Sequence, residues 1–472
     1  MTQYFFDVTD LRRYLKSNAR LSGIQRVSVM TIAKAAQQVV DAPIWLAYSD
    51  RRSRSYKAIL LPREMGVDLT HIETLCDLLG VVRGPQALPA MGKYTERPLK
   101  RQLYIWKRDL YAIFGHKSHF TRNGLSAQEW RAARRGKRAG AVARVGQPRD
   151  FGNVAKPGDQ LIALDNVWFP SDLEPFLVQA HARGVEVSVL LHDLIPLVVP
   201  QYTEGDICRR FAAWLERSTG FVTHYLANSR STGRDLQEYL ESRSATQKVT
   251  VVPLAQSRLS GAVTVEAPDM LHERYEAYRY GAQMPDYLRS ITKTDYVLVV
   301  GTMEVRKNIW RVATVWDRLR RQGERDLPKL VFAGRRGWLI DDFSALMSAT
   351  GNLGGWVEIV ESPTDSELEY LYRNCLFTIT ASFYEGWGLP IGESLGYGKT
   401  AVVSNTSSMP EVGEDMVEYC DPHSLSSIET ACVNLLEDLD YRKALEARIA
   451  QTELRSWDMV ASDLLAAVRK PE

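Results

Sequence analysis

The chain has 472 residues, of which 45% are hydrophobic and 25% are charged, with a formal net charge of +2. These values are ordinary for a soluble globular protein, and the length is too great for a single hydrophobic core, so two domains are predicted. No uncharged apolar run approaches 18 residues, which argues against a transmembrane helix.

The five cysteines are scattered along the chain without a C-x-x-C pair. This usage indicates a reducing compartment and argues against a disulfide framework or a zinc site. The N-terminal sequence MTQYFFDVTD has neither a basic region nor a long apolar core, so no signal peptide is predicted. We therefore expect a cytoplasmic protein.

The first elements in chain order are a strand at residues 4–8, a polar loop, and a helix from Ile24 to Val39. The loop ends in the sequence LSGIQRV, which contains Gly23. A strand, a glycine-containing loop and a helix together form a junction that can accommodate an anion, because the first N–H groups of a helix are free.

A basic segment at about 85–157 follows a second strand at 44–48. Between Lys93 and Arg144 there are 14 Lys or Arg and 3 Asp or Glu, a local balance of +11, so the rest of the chain carries 2 − 11 = −9. Apolar residues recur there at helical spacing: Leu103, Trp106, Leu110, and Ile113 or Phe114. Two interpretations stay open: an amphipathic helix on an anionic membrane near a lipid-linked acceptor, or an insertion packed on its own domain. A nucleic-acid-binding arm would lack a recognisable module.

From residue 160 onwards, apolar strands alternate with helices, which predicts parallel sheets. The predicted strands are 160–164, 185–191, 225–229, 248–253, 296–300, 329–333, 357–360, 376–380 and 401–404. Charged residues, proline and tyrosine interrupt this pattern between about residues 257 and 291. The predicted organisation is an N-terminal domain at 1–256, a linker at 257–290, a C-terminal domain at 291–453, and a closing helix in 454–472.

The strand at 376–380 leads into the sequence ASFYEGWGLPIGESLGYG. Two glycines flank Trp387, and Leu389-Pro390 suits the first turn of a helix. Such a turn offers free N–H groups and a positive dipole end to a phosphate. Glu385 and Glu393 bracket the turn and are better suited to sugar and ribose hydroxyls than to phosphate. Together these groups suggest a nucleotide-sugar.

Two further loops follow strands. Arg306 and Lys307 lie in GTMEVRKN, where adjacent cations would stabilise a departing diphosphate. His192 lies in HDLIP, directly after the strand at 185–191, and faces the predicted cleft.

The EGWGLPIGE sequence resembles the E-x7-E signature of retaining GT-B glycosyltransferases of family 4, and RKN resembles the diphosphate-binding loop of that family. The resemblance implies an α/β GT-B fold, in which two doubly wound Rossmann-like domains face a cleft and the second binds the donor. It also implies that the helix in 454–472 returns to the first domain and that the anomeric configuration is retained. The implied catalytic residues are His192, Arg306, Lys307 and Glu385. The implied donor-binding residues are Gly23, Gly301, Thr302, Arg306, Lys307, Arg335, Glu385, Gly386, Trp387, Gly388, Leu389 and Glu393.

SGIQRV and HDLIP look most like transferases that build bacterial surface polysaccharides such as O-antigen or capsule. The resemblance therefore implies transfer of a hexose, with mannose from GDP-mannose expected, to a saccharide or polyprenyl-linked saccharide. No D-x-D pair or histidine cluster suggests a metal, and neither a cofactor nor a nucleic-acid partner is expected. Peripheral contact with the cytoplasmic face of the inner membrane is one of the two interpretations of the basic segment that stay open. The alternatives are an epimerase-like GT-B enzyme and a non-catalytic carbohydrate-binding protein.

Overall fold

The computed structural model describes residues 2–18, 21–61, 69–81, 98–114, 146–259, 281, 284–323 and 326–469. The chain divides into two compact units, Met1–Val187 and Ser188–Glu472. Most of the predicted linker at 257–290 and much of the basic segment at 85–157 lie outside the described residues, and the domain boundaries drawn from the sequence stay predictions.

Five strands of the first unit lie in the order β4-β3-β2-β1-β5. They are β1 (Tyr4–Asp7), β2 (Ile44–Asp50), β3 (Ser55–Leu60), β4 (Arg149–Asp150) and β5 (Gln160–Ala163). Strand β1 pairs in parallel with β2 and β5, so that Phe5 lies opposite Trp45 and Leu161. Strands β3 and β4 add an antiparallel edge that the sequence analysis did not predict.

The helices of the first unit are α1 (Thr9–Ser17), α2 (Gly23–Gln38), α3 (Ile72–Leu78), α4 (Pro98–Ile113), α5 (Phe151–Val154) and α6 (Glu174–Ala182). Helix α1 occupies the stretch predicted to be a polar loop, and that prediction is wrong. Leu11 and Leu15, four residues apart, are buried along one side of α1 together with Thr9. Burial of this narrow apolar stripe holds a mostly polar segment helical.

Strand β6 (Glu186–Leu191) leads into the second unit, where it pairs in parallel with β7 (His224–Ala227), which pairs with β8 (Lys248–Val251). A six-stranded parallel sheet follows, in the order β11-β10-β9-β12-β13-β14. Its strands are β9 (Tyr296–Val300), β10 (Lys329–Gly334), β11 (Val357–Glu361), β12 (Thr378–Thr380), β13 (Ala401–Ser404) and β14 (Glu418–Cys420). The order reverses between β9 and β12, which is where ligands bind in such sheets.

The helices of the second unit match the predicted alternation. They are α7 (Ile195–Val198), α8 (Gly205–Ser218), α9 (Arg230–Ser242), α10 (Asp286–Ile291), α11 (Ile309–Gln322), α12 (Asp341–Gly355), α13 (Asp365–Asn374), α14 (Leu389–Gly396), α15 (Met409–Gly413), α16 (Leu425–Glu437), α17 (Leu439–Gln451) and α18 (Trp457–Val468). Just before α18, Arg455 donates to the carbonyl of Pro253 (2.8 Å) and to Gln256 (3.1 Å). The closing segment therefore contacts residues assigned from sequence to the N-terminal domain.

Candidate active site

The loop after β9 is held in a fixed shape by its own backbone and by Asn308. Gly301 has a φ of 134°, a conformation that favours glycine. Asn308 adopts a left-handed conformation (φ 59°), and its Nδ2 donates to the carbonyls of Ala381 (3.0 Å) and Pro422 (2.9 Å). These bonds tie the loop to the end of β12, so Arg306 and Lys307 are presented at the reversal point of the sheet.

Arg306 and Lys307 converge on two carboxylates. Arg306 pairs through Nη2 with Glu304 (2.5 Å) and through Nη1 with Glu385 (2.8 Å). Lys307 forms a second ion pair with Glu385. All four side chains are largely buried. The structure thus brings together three residues that were predicted to act on the donor, and it adds Glu304, which the sequence analysis missed.

The charges of this cluster compensate one another. Burial raises the pKa of the Glu385 carboxyl, but the charges of Arg306 and Lys307 outweigh burial and lower that pKa to about 2. Burial opposes the charged form of Arg306 as well, yet Glu385 and Glu304 hold its pKa above the usual value. Glu385 is therefore ionised at neutral pH, and the two cations are already held in a partly desolvated site, where they act strongly on an incoming anion.

The turn between β12 and α14 is fixed by two serines from the next loop. Ser407 accepts from the Glu385 N–H (3.0 Å), and Ser408 donates to the carbonyls of Glu385 (2.9 Å) and Trp387 (3.0 Å). Gly388 precedes α14 with a φ of 101°. As predicted, a glycine-rich turn leads from a buried strand into a helix that begins at Leu389 and has Pro390 in its first turn.

Gly386 lies directly against the loop that carries His192. A Cβ built on Gly386 would lie 1.8 Å from the His192 carbonyl oxygen, so no larger residue fits without displacing backbone. Thr232 at the start of α9 also donates to the Gly386 carbonyl (3.3 Å). The structure therefore brings the backbone of the HDLIP loop together with the EGWG turn.

Around His192, the adjacent side chains fix the loop. Asn228 donates to the His192 carbonyl (2.8 Å), and the Asp193 carboxylate accepts from the Ile195 N–H (3.0 Å). Burial raises the pKa of the Asp193 carboxyl, although nearby Arg306 opposes this rise. Asp193 thus faces the cation–carboxylate cluster, and its part in chemistry stays a prediction, as does the part of His192.

The remaining predicted donor residues take different positions. Glu393 is buried in α14 and accepts from the hydroxyl of Tyr372 (2.8 Å). Trp387 is buried, and its Nε1 has no hydrogen-bond partner among the described residues. Arg335, after β10, is exposed and fixes the loop through its carbonyl, which accepts from Met303 (2.7 Å). Their contacts with a donor stay predictions, as do those of Thr302 and Leu389.

Gly23 belongs to the first unit, where it begins helix α2. Near it, the first unit holds a second buried polar cluster, which the sequence analysis missed. Gln25 donates from Nε2 to both Asp10 and Asp165, each at 3.1 Å. Asp7, the last residue of β1, accepts from Tyr56 (2.5 Å).

The carboxylate cluster, defined as Asp7, Asp10 and Asp165, is hydrogen-bonded to the neutral side chains of Gln25 and Tyr56, while the positive charge of Arg13 acts on Asp10. Burial, followed by the charge of Asp10, raises the pKa of Asp165 to about 8, and burial raises that of Asp7 to about 6. The sequence feature that could have revealed the cluster is the position of acidic residues at or just after the ends of adjacent strands, where carboxyl ends meet.

Among the described residues, no group of three or more His, Cys, Asp or Glu side chains is arranged to hold a metal ion. Within the same part of the chain, no helix combines the length and apolarity needed to cross a membrane.

A family match covers the cluster of Glu304, Arg306, Lys307 and Glu385, which we call the compensated cluster. Residues 284–452 match the family described as "Glycosyl transferases group 1". This region is a group 1 glycosyltransferase domain. It contains Arg306, Lys307, Glu385 and Glu393, so the resemblance inferred from EGWGLPIGE is confirmed at this level.

Curated relatives are named as mannosyltransferases. The chain is 34% identical over 175 residues to the O-antigen chain mannosyltransferase B of Escherichia coli, covering 37% of this chain and 45% of that protein. It is 24% identical over 282 residues to the serotype-specific mannosyltransferase WbdA of Escherichia coli, covering 58% of this chain and 32% of WbdA. The chain thus spans less than half the length of these relatives.

The solved structure of Anabaena HepE in complex with UDP-glucose superposes with a TM-score of 0.57 at 11% identity, covering 99% of each chain. This likeness confirms the predicted fold class, α/β with the GT-B architecture and two Rossmann-like domains.

Proposed function

We propose that this protein is a glycosyltransferase that moves a hexose from a nucleotide-sugar to a saccharide acceptor in the synthesis of a surface polysaccharide. The observation that carries the proposal is the buried cluster of Arg306, Lys307 and Glu385 at the reversal point of a parallel sheet, within a group 1 glycosyltransferase domain. The relatives named as mannosyltransferases support mannose as the sugar, and we propose GDP-mannose as the donor.

In the proposed reaction, the diphosphate of the donor replaces Glu385 as the partner of Arg306 and Lys307. Arg306 offers a planar fork to phosphate oxygens and Lys307 a compact charge. Negative charge grows on the departing diphosphate as the sugar–phosphate bond breaks, and cations fixed before the reaction stabilise that charge without reorganising. Glu385, released from the cations, then accepts hydrogen bonds from the sugar hydroxyls.

Glu304 keeps Arg306 in place during this exchange. It is buried and lies two residues before Arg306, and its carboxylate contacts Nη2, whereas Glu385 contacts Nη1. When Glu385 binds the sugar hydroxyls instead of Arg306, Glu304 would therefore still hold the Arg306 guanidinium in position. With this arrangement, charge neutralisation of the diphosphate rests on protein side chains, and we propose that the reaction is independent of a metal.

We further propose that the reaction retains the anomeric configuration by displacement on one face of the sugar, with the departing phosphate assisting deprotonation of the acceptor hydroxyl. The acceptor is proposed to be a saccharide or a polyprenyl-linked saccharide on the cytoplasmic face of the inner membrane. Glu385 binds the sugar in this mechanism and forms no bond to it.

The test compares the release of GDP and the transfer of mannose from GDP-mannose in wild type, Glu385→Gln and Glu361→Gln. Glu361 is a matched control because it lies at the end of β11 but pairs with Arg336 on the surface. We expect Glu385→Gln to lower turnover by about 10²-fold or more, because Glu385 positions the sugar and misplacing a reacting group costs about that much, and Glu361→Gln to leave it unchanged. Unchanged turnover in Glu385→Gln, or a mannosyl adduct on Glu385 by intact mass, would refute the mechanism.

A further inference from the structure

Helix α4 (Pro98–Ile113) has its apolar side turned outwards. Five large apolar side chains of α4 and the residue after it are exposed: Leu103 by 65%, Trp106 by 66%, Leu110 by 37%, Ile113 by 69% and Phe114 by 73%. At 3.6 residues per turn they fall within an arc of about 100° on the helix surface. We call these five residues the α4 apolar face.

The opposite side of α4 faces inwards and carries Arg108 and Ala112. Arg108 is only 1% exposed, and its guanidinium lies over the ring of Tyr104 (5.6 Å to the centroid). Ala112, one turn further on, is buried as well. A surface helix of a globular protein normally buries its apolar stripe and exposes its charges. In α4 the apolar stripe is exposed instead, whereas Arg108 is buried.

A contiguous apolar face of this size is uncommon on a soluble surface and marks a site of contact. The charge of the surrounding sequence indicates what it contacts. The stretch from Lys93 to Arg144 carries 14 Lys or Arg against 3 Asp or Glu. Lys107 is exposed beside the apolar face and lies 5.7 Å from the ring centroid of Tyr111.

We infer that the α4 apolar face docks on an anionic lipid surface, with the helix lying in the plane of the interface. Such helices insert leucine and aromatic side chains between lipid headgroups, while basic residues beside them meet anionic lipid. Tryptophan and tyrosine are suited to this depth because their rings are apolar and their tips are polar. The proposed function gives this docking its use, since it would hold the chain beside a lipid-linked acceptor, and on this point the inference rests on it.

The experiment is co-sedimentation of the full chain with phosphatidylcholine vesicles, with and without phosphatidylglycerol. The test variant is the triple substitution Leu103→Ser, Trp106→Ser and Ile113→Ser. The matched control is Val178→Ser, which changes an apolar side chain of α6 that is 45% exposed. A second variant, Lys107→Gln, removes one exposed positive charge beside the face.

We expect wild type and Val178→Ser to sediment with vesicles that contain phosphatidylglycerol and the triple variant to bind at least tenfold more weakly. Lys107→Gln should weaken binding less, and salt should weaken it in all proteins, because exposed charges are screened. Unchanged binding by the triple variant would overturn the inference. Dissociation of a dimer by the triple variant, without vesicle binding by wild type, would assign the face to a second copy of the chain and would also overturn it.

The melting temperature and the response to GDP are measured on the same variants. A triple variant that keeps the wild-type melting temperature and GDP response but loses vesicle binding supports the docking surface independently of folding. If wild type responds to GDP but does not bind vesicles, the docking inference fails and the proposed function stands. If it binds vesicles but no nucleotide, the proposed function fails alone.

Discussion

The two buried polar clusters of this protein solve the problem of buried charge in opposite ways. In the second unit, Glu304 and Glu385 meet Arg306 and Lys307, so two negative charges face two positive ones. In the first unit, Asp10 and Asp165 share Gln25, a neutral side chain, and Asp7 meets Tyr56. The cluster of the second unit keeps its charges by pairing them, whereas the carboxylate cluster of the first unit lowers its negative charge by holding protons.

Because their charges are neutralised differently, the two clusters are suited to different chemistry. A buried cation that is already paired exchanges one anion for another at little cost, which suits the binding of a diphosphate. A protonated carboxyl in an apolar setting can donate a hydrogen bond as well as accept one, which is a different chemistry. The compensated cluster alone lies in the region that matches the glycosyltransferase family, at 284–452.

The largest expected effect is on the compensated cluster. Arg306→Met leaves Glu304 and Glu385 buried with Lys307 as the one remaining cation of the cluster. Removing one partner of a buried ion pair typically costs about 3–5 kcal/mol, and we expect the free energy of unfolding, measured in urea, to fall by that amount. The control Arg336→Met breaks an exposed pair with Glu361 and should cost at most about 1 kcal/mol. Equal effects of the two substitutions would show that the charges of the cluster are not coupled as described.

A smaller effect of opposite sign is expected in the carboxylate cluster. Burial raises the pKa of Asp165 to about 8, whereas an unfolded aspartate titrates near about 4. The folded chain therefore binds more protons, so the stability contributed at acid pH is lost as the pH rises through about 8. Asp165→Asn removes the acid, and because the loss of stability sets in above the unfolded pKa of about 4, we expect it to raise the free energy of unfolding at pH 7 relative to its effect at pH 4.

The measurement is urea unfolding of wild type, Asp165→Asn and Asp41→Asn across this pH range. Asp41 is exposed and serves as the matched control for the loss of one aspartate side chain. A pH dependence that Asp165→Asn leaves as steep as in wild type would mean that Asp165 is ionised in the folded chain.

Elements with strong local patterns could be predicted from the sequence. Apolar strands and a glycine-rich turn identified the second sheet and Glu385, and the periodicity of Leu103, Trp106 and Leu110 predicted α4. Helix α1 was missed because its apolar stripe is only Leu11 and Leu15, and antiparallel β3 was missed because Lys57 interrupts its short apolar run.

The tertiary contacts could not be predicted, because they join residues far apart in the chain. Glu304 matters because it pairs with Arg306, which also pairs with Glu385. Glycine is needed at position 386 because the carbonyl of His192 lies against it. The same holds for Asp10 and Asp165, which are 155 positions apart and meet through Gln25. The orientation of α4 is likewise a tertiary property, since periodicity defines an apolar face but not the direction in which it points.

The central claim is that the cluster of Arg306, Lys307 and Glu385 binds the diphosphate of a nucleotide-sugar. The most direct test is a thermal-shift titration of wild type and Arg306→Met with GDP, UDP and ADP, each with its common sugar conjugates. A ligand that binds only the folded state raises the melting temperature with its concentration. We predict a shift with GDP and GDP-mannose that exceeds the shift with UDP or ADP and is lost in Arg306→Met. A UDP-selective shift would contradict the proposed donor, and no shift with any nucleotide would contradict the claim itself.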